Sequence, residues 1–250
     1  SPSQAESYQA CPRQYALARR LDAGGEAGPY ASFGRLIHDI LDETEQDAVQ
    51  TGASHGSIDH ALECLDRRLD SFDFGPKARK EAWRKRAERL LRGLYEEWIR
   101  PGARPVLLEH PLEATIDGIP WRGRADRVEL IENDQVRIVD YKTTTSPKSA
   151  AESATSIQLG FYLLASRLDE AIASIGEATE AEFWYPLAKR KQKWVSFDPE
   201  RLDEVIETMT DISRRIAAED WGPVVSAACD RCPVRTVCPE WPEGRESFAR

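Results

Sequence analysis

Gln135-Val136-Arg137-Ile138-Val139-Asp140-Tyr141-Lys142 is the stretch on which the fold turns. A short run this rich in β-branched residues reads as a buried strand. Side chains two apart in a strand share a face, so Asp140 and Lys142 stand side by side. Upstream, 106–116 and 119–131 are β-favouring runs separated from each other and from 135–142 by Asp117-Gly118 and Asn133-Asp134, and the three read as a meander. The middle run contains Gly123-Arg124-Ala125-Asp126-Arg127, which offers a second carboxylate, Asp126, to the same spot.

Outward from this meander the texture is helical. On the N-terminal side Ser3 and Glu6 can form a capping box for a helix reaching Arg20, and 21–29 reads as a glycine-rich loop. Phe33, Leu36, Ile37, Ile40 and Leu41 then recur at helical spacing on a second helix that carries His38. Further helices are expected over 58–69 and 76–99, with Pro76 at a helix start and Pro101 past its end. On the C-terminal side a helix over 152–172 is followed by strands 181–187 and 193–197 and a last helix over 199–218. The order predicts an α/β fold with a mixed central sheet flanked by helices and a helical N-terminal elaboration. One domain over 1–250 is expected: a mostly helical part (1–105), an α/β core (106–218) and a cysteine-bearing segment (219–250).

The 250 residues are 41% hydrophobic and 31% charged, enough for a sizeable core and with no apolar run of the ~20 residues a membrane span needs. A net charge of −9 excludes a wholesale basic coat, so any polyanion site is a local patch. Met209 is the only methionine and no signal segment follows Ser1, so the chain reads as part of a longer protein. Three of the five cysteines, Cys229, Cys232 and Cys238, crowd into a spacing that suits a metal or cluster in a reducing, cytoplasmic compartment. A fourth ligand is needed. Cys11 and Cys64 are the candidates, and Cys64, inside Ala61-Leu62-Glu63-Cys64-Leu65, reads as a core thiol.

Two carboxylates at Asp126 and Asp140 can hold Mg²⁺ or Mn²⁺, which positions a phosphate and acidifies a water. Lys142 would orient that water or neutralise charge on the phosphate oxygens. His38, and Gln158 with Tyr162 one helical turn apart, add polar groups to segments otherwise suited to burial.

This distributed pattern resembles the RecB-type branch of the PD-(D/E)XK nucleases. The residues that carry it are Cys11-Pro12 with Tyr15, Phe33-Gly34 with His38, Gly123-Arg124-Ala125-Asp126-Arg127, Asp140-Tyr141-Lys142-Thr143, Gln158-Leu159 with Tyr162, and the three C-terminal cysteines. The middle acid is Asp140 where many relatives have Glu, and Thr144 stands where a glycine commonly follows Lys-Thr. The resemblance implies a restriction-endonuclease-like fold. It implies that His38, Asp126, Asp140 and the backbone carbonyl of Tyr141 ligate the catalytic metal, that Lys142 is the catalytic lysine, and that Gln158 and Tyr162 support the site or contact DNA. It further implies a [4Fe-4S] cluster on Cys11, Cys229, Cys232 and Cys238 that joins the two ends of the chain, as in AddB/AdnAB-like helicase-nucleases. From the residues alone, zinc stays open.

The implied activity is metal-dependent hydrolysis of DNA, single-stranded by preference, most simply as an exonuclease. The implied setting is a bacterial helicase-nuclease of double-strand break repair, with a helicase motor or partner subunit. A stand-alone exonuclease resembling CRISPR-adaptation nucleases, an inactive cluster-stapled DNA-binding module and a zinc-bound interaction domain are the alternatives. Two basic stretches are candidate DNA contacts: 77–92, including Arg84 and Lys85, and Lys189, Arg190, Lys191 and Lys193 among Trp184, Tyr185 and Trp194. Arg124 is a further candidate. A solvated helix face and core aromatics are the plainer readings of the same residues.

Overall fold

The computed structural model describes residues 1–20, 28–74, 76–98, 102–189 and 192–241. At its centre are five strands, β1 (Arg104–Ile116), β2 (Ile119–Leu130), β3 (Gln135–Tyr141), β4 (Glu177–Trp184) and β5 (Trp194–Ser196), side by side in that order. β2 and β3 are antiparallel, β3 and β4 parallel, and β4 and β5 antiparallel, so the sheet is mixed as the element order predicts. From Val136 to Tyr141 every residue of β3 is buried, which is why this strand reads as apolar throughout rather than alternating. Asp117 and Gly118, with φ of 51° and 76°, make the left-handed two-residue turn between β1 and β2 that favours Asp-Gly.

The expected helix up to Arg20 is two helices, α1 (Pro2–Ala10) and α2 (Pro12–Arg20). Cys11 between them is extended, with φ −167° and ψ 110°, because the ring of Pro12 crowds a helical residue before it. α1 also starts earlier than its expected capping box: Ser3 lies inside the first turn, and the Ser1 amino group donates to Gln4 Oε1 at 3.0 Å. α3 (Pro29–Thr51) buries Phe33, Leu36, Ile37 and Ile40 and ends at Gly52, whose φ of 72° is the left-handed helix terminator. α4 (Ile58–Arg68) and α5 (Lys77–Gly93) bring Cys64, Leu65, Leu90 and Leu91 to the same core, which also receives Val139, Tyr141 and Trp184 from the sheet.

Between β3 and β4 the expected helix over 152–172 is three: α6 (Ala150–Ala154), α7 (Ile157–Leu168) and α8 (Glu170–Ala173). Each start has its own cap. Ser149 Oγ accepts from the Glu152 amide at 3.2 Å, Ser156 Oγ from that of Leu159 at 3.4 Å, and Asp169 Oδ1 from that of Ile172 at 2.9 Å. Apolar periodicity runs through these caps, which is why it suggests one helix. Trp184 and Tyr185 are buried and Trp194 half-buried, so these rings belong to the core and are not platforms for bases. α9 (Leu202–Ala217) closes the regular structure, and no described helix is long and apolar enough to cross a membrane.

The chain forms two compact units. One comprises Ser1–Glu26, Thr115–Trp121 and Ile206–Arg250; there Tyr8 Oη donates to the Asp220 carbonyl at 2.7 Å and Trp121 Nε1 to Ser213 Oγ at 3.1 Å. The other comprises Ala27–Ala114 and Arg122–Val205 and holds α3 to α8, β3 to β5 and most of β1 and β2.

Candidate active site

The backbone pairing of β2 with β3 ends at Arg127↔Val139, one residue short of Asp126 and Asp140. Where the ladder stops, a side chain takes over: Asp126 Oδ2 accepts the Tyr141 amide at 2.7 Å. β3 stays paired to β4 on its other edge, through Tyr141↔Trp184 and the Lys142 amide on the Trp184 carbonyl at 2.8 Å. One side of β3 is thus open to side-chain chemistry while the other is clamped.

α3 delivers His38 to this opening. Its Nε2 lies 3.2 Å from the Tyr141 carbonyl and its Nδ1 3.2 Å from Asp126 Oδ1. Two apart on the strand, Asp140 and Lys142 share a face, and Asp140 Oδ2 meets Lys142 Nζ at 2.6 Å. α7 supplies the third wall. Gln158 Nε2 donates to Asp140 Oδ1 at 2.6 Å and Gln158 Oε1 accepts from Lys142 Nζ at 3.0 Å. Tyr162 Oη lies 2.8 Å from Gln158 Nε2 and donates to Asp140 Oδ1 at 3.2 Å. The Lys142 ammonium also stands 4.6 Å above the centre of the Phe183 ring. His38, Asp126, Asp140, Tyr141, Lys142, Gln158 and Tyr162 therefore converge, although they come from four elements.

Electrostatically the opening favours a cation. Burial and the neighbouring Asp140 charge push the Asp126 carboxyl above its ordinary range, against the opposing pull of His38 and the Tyr141 amide. Burial alone would favour neutral His38, but the Asp126 charge and hydrogen bond, with help from Glu109, raise its pKa well above the usual value. Burial, reinforced by Asp140, raises Tyr162, which stays a neutral donor.

Glu109 is a member of this group that the residue pattern does not reveal. It sits in β1 with φ 45°, a left-handed backbone that re-aims its side chain, and its Oε1 lies 3.7 Å from His38 Nδ1. Donor atoms of His38, Glu109 and Asp126 all lie within 4.8 Å of one another. Despite partial burial, hydrogen bonds from His38 and Arg124 hold Glu109 below the usual carboxylate range.

The glycine of Gly123-Arg124-Ala125-Asp126-Arg127 has a packing reason. A methyl group there would sit 2.7 Å from Cε1 of Phe161 and 3.1 Å from Cε1 of Tyr162. Gly123→Ala is therefore expected to destabilise the fold by about 1–3 kcal/mol, since the Phe161 ring must shift, and to lower the site's activity more than its melting temperature suggests, because the neighbouring Tyr162 ring that must also give belongs to the Asp140 clamp. Thermal melts paired with turnover check this; full activity would show that Tyr162 is free to move.

The candidate DNA contacts divide. Arg84 is held by Asp66, with Nη2 at 2.7 Å from Oδ1, and Arg124 reaches Glu109 at 3.4 Å beside His38. Lys85 and Lys189 are exposed, whereas Lys191 lies outside the described residues. In the other unit, Cys11, Cys229, Cys232 and Cys238 line one cavity of about 240 Å³. Cys11 Sγ accepts from the amides of Gln14 and Val224, each at 3.5 Å, and Cys229 Sγ from that of Ser226 at 3.4 Å. Cys64 is fully buried, outside that cavity.

The Gene 69 protein of Mycobacterium phage L5 is 29% identical over 138 residues, which cover 53% of this chain and 44% of that protein. The chain thus spans under half the length of this curated relative. Among solved structures, a candidate exonuclease of Eubacterium rectale superposes with a TM-score of 0.49 at 13% identity, over 92% of this chain and 85% of the other. SSO0001 does so with a TM-score of 0.38 at 15% identity, over 92% and 94%. A family model matches residues 1–239, both units included, and by that match the chain belongs to the PD-(D/E)XK nuclease superfamily.

Proposed function

We propose that this protein is a metal-dependent DNA nuclease that hydrolyses phosphodiester bonds of single-stranded DNA from an end, as the nuclease part of a cytoplasmic helicase-nuclease in break repair. The observation that carries the reading is the convergence of His38, Asp126, Asp140 and the Tyr141 carbonyl beside a lysine held by Gln158. Hard oxygens with one imidazole are the donor set of Mg²⁺ and Mn²⁺, so the residues fit such an ion. His38, Asp126, Asp140 and the Tyr141 carbonyl would hold it, with Glu109 at the edge. When bound, it would supply a Lewis acid toward a phosphate oxygen and a more acidic water.

The chain's own groups do the rest. Lys142 presents an ammonium at the mouth of the site, where charge grows on the phosphate oxygens. Gln158 and Tyr162 fix Asp140 Oδ1, so that its other oxygen has a defined direction. The face of the Phe183 ring lies under the Lys142 ammonium and favours its charge. Asp126, anchored on the Tyr141 amide, turns its second oxygen toward His38.

Residues 1–250 act as one domain in this reading, which the family match across both units supports. Cys11, Cys229, Cys232 and Cys238 would hold a [4Fe-4S] cluster that ties the segment around Cys11 to the C-terminal one. The fit is in the donor set, four thiols on one cavity, two of them receiving backbone amides as bound thiolates do. A cluster of this kind serves as structure.

The test is cleavage of end-labelled and circular single-stranded DNA and of duplex by the whole protein in Mg²⁺ or Mn²⁺, with a visible absorption spectrum. Metal-dependent shortening from the ends, sparing circles, with a broad brown absorbance, is the expected result. Binding without cleavage in every divalent metal overturns the nuclease. Preference for intact duplex overturns the single-strand reading, and a colourless, zinc-containing protein overturns the cluster alone.

A further inference from the structure

The two basic stretches that lie far apart in sequence face each other across one groove. It has a volume of about 640 Å³ and runs between α5 and the segment linking β4 to β5. Lys85, Arg86, Arg89 and Arg92 stand on the helix side and Lys189 and Lys193 on the other, against only Glu88 and Glu96. In a chain of net charge −9 such a concentration of positive charge is a local construction. Pro186, Leu187 and Ala188 line the groove between the charges, where an uncharged ribose or base edge would lie.

Its members differ in how far they are committed. Arg92 is shared with Glu88 and Glu96, at 3.1 and 3.6 Å, and Lys193 donates to the Ala188 carbonyl. Arg89 and Lys189 are exposed, and their side chains have no hydrogen bond or ion pair with any described residue. Arg86 connects the groove to the candidate site. Its guanidinium lies 5.3 Å from the Phe33 ring centre and donates to the Thr143 carbonyl at 3.1 Å. Thr143 follows Lys142 directly, and Thr145 lines the groove itself. The groove therefore borders the segment by which the chain leaves β3, just past Asp140 and Lys142.

Resting on the nuclease reading above, we infer that this groove is the track for the phosphate backbone of one nucleic-acid strand, with Arg89 and Lys189 gripping phosphates from opposite walls. Cations on both sides suit a single strand, whose backbone they flank. A duplex presents two backbones to a surface and would meet only one wall at a time.

The test separates binding from cutting. Anisotropy of a fluorescein-labelled oligothymidylate is measured in EDTA, where no cleavage occurs, for the wild type, for R89E/K189E, and for the equal charge change R122E/R201E. Arg122 and Arg201 are exposed, line no part of the groove and pair only with Glu113 and Glu204 among described residues. R89E/K189E is expected to weaken binding at least tenfold at low salt. Its log–log salt slope is expected to be shallower by about 1.4, since a single-strand contact contributes about 0.7. The control pair is expected to bind like the wild type. Equal affinity of R89E/K189E and wild type overturns the track while leaving the cleavage assay to judge the nuclease. An equal loss in the control assigns the effect to net charge and overturns it too. A hairpin duplex that competes as well as the oligothymidylate overturns the single-strand assignment.

Discussion

Asp140→Asn is expected to lower metal-dependent cleavage by at least about a thousandfold, some 4 kcal/mol of barrier, while the protein stays folded. The amide is isosteric with the carboxylate, so Gln158 and Tyr162 keep an oxygen to donate to at the position of Asp140 Oδ1. What is lost is charge. The oxygen now 2.6 Å from Lys142 Nζ becomes an amide NH₂, which repels the ammonium and cannot ligate a cation. Both the metal-holding set and the placement of the lysine fail together, so the loss falls on turnover. Single-turnover cleavage at saturating Mn²⁺ measures it, and a thermal melt within a few degrees of wild type confirms the fold. Tyr162→Phe is the contrast: it removes the 3.2 Å bond to Asp140 Oδ1 and the 2.8 Å bond accepted from Gln158 Nε2, but keeps the Asp140 charge and the direct Gln158 bond to it, and about a tenfold loss is expected. A full-activity Asp140→Asn protein would place the chemistry elsewhere.

The second large effect is on stability. Arg127→Met is expected to cost about 3–5 kcal/mol, a large share of a typical domain's margin. Arg127 is fully buried, with Nε 2.7 Å from Glu129 Oε1, Nη1 on Glu45 and Nη2 on the Ser54 carbonyl at 2.9 Å. Glu45 also receives Tyr95 Oη at 2.6 Å and the Gly56 amide at 3.1 Å, and Glu129 is shared with Arg137 at 3.2 Å. This network ties α3 to β2 and β3. Methionine fills the volume but leaves two buried carboxylates short of their cation, and uncompensated buried charge is what makes the loss large. Urea titrations of the two proteins check this, and a deficit under about 1 kcal/mol would contradict it.

Much of the site was legible because it follows two short periods. Asp140 and Lys142 follow the two-residue repeat of a strand, and Gln158 and Tyr162 the four-residue repeat of a helix. His38 rides on a helix whose apolar stripe is plain. Glu109 escapes such a reading because its placement depends on a left-handed residue within β1, and one acid among 43 carries no mark of that. The break at Cys11 was written in Pro12, and those at Ser156 and Asp169 in residues that favour helix caps, but the apolar repeat across them is the louder signal. The groove could not be read at all. Its walls are brought together by packing, and the same packing diverts Arg84 to Asp66.

The unfinished ladder between β2 and β3 also equips the protein with a spectroscopic reporter. The amide proton of Tyr141 is held by a carboxylate where its strand neighbours in the ladder are held by carbonyls. Its chemical shift will follow any change in charge at Asp126. A single ¹⁵N label at position 141 would thus register ion occupancy, substrate arrival and product departure at the fork in the sheet, with no chromophore and no modification of the nucleic acid.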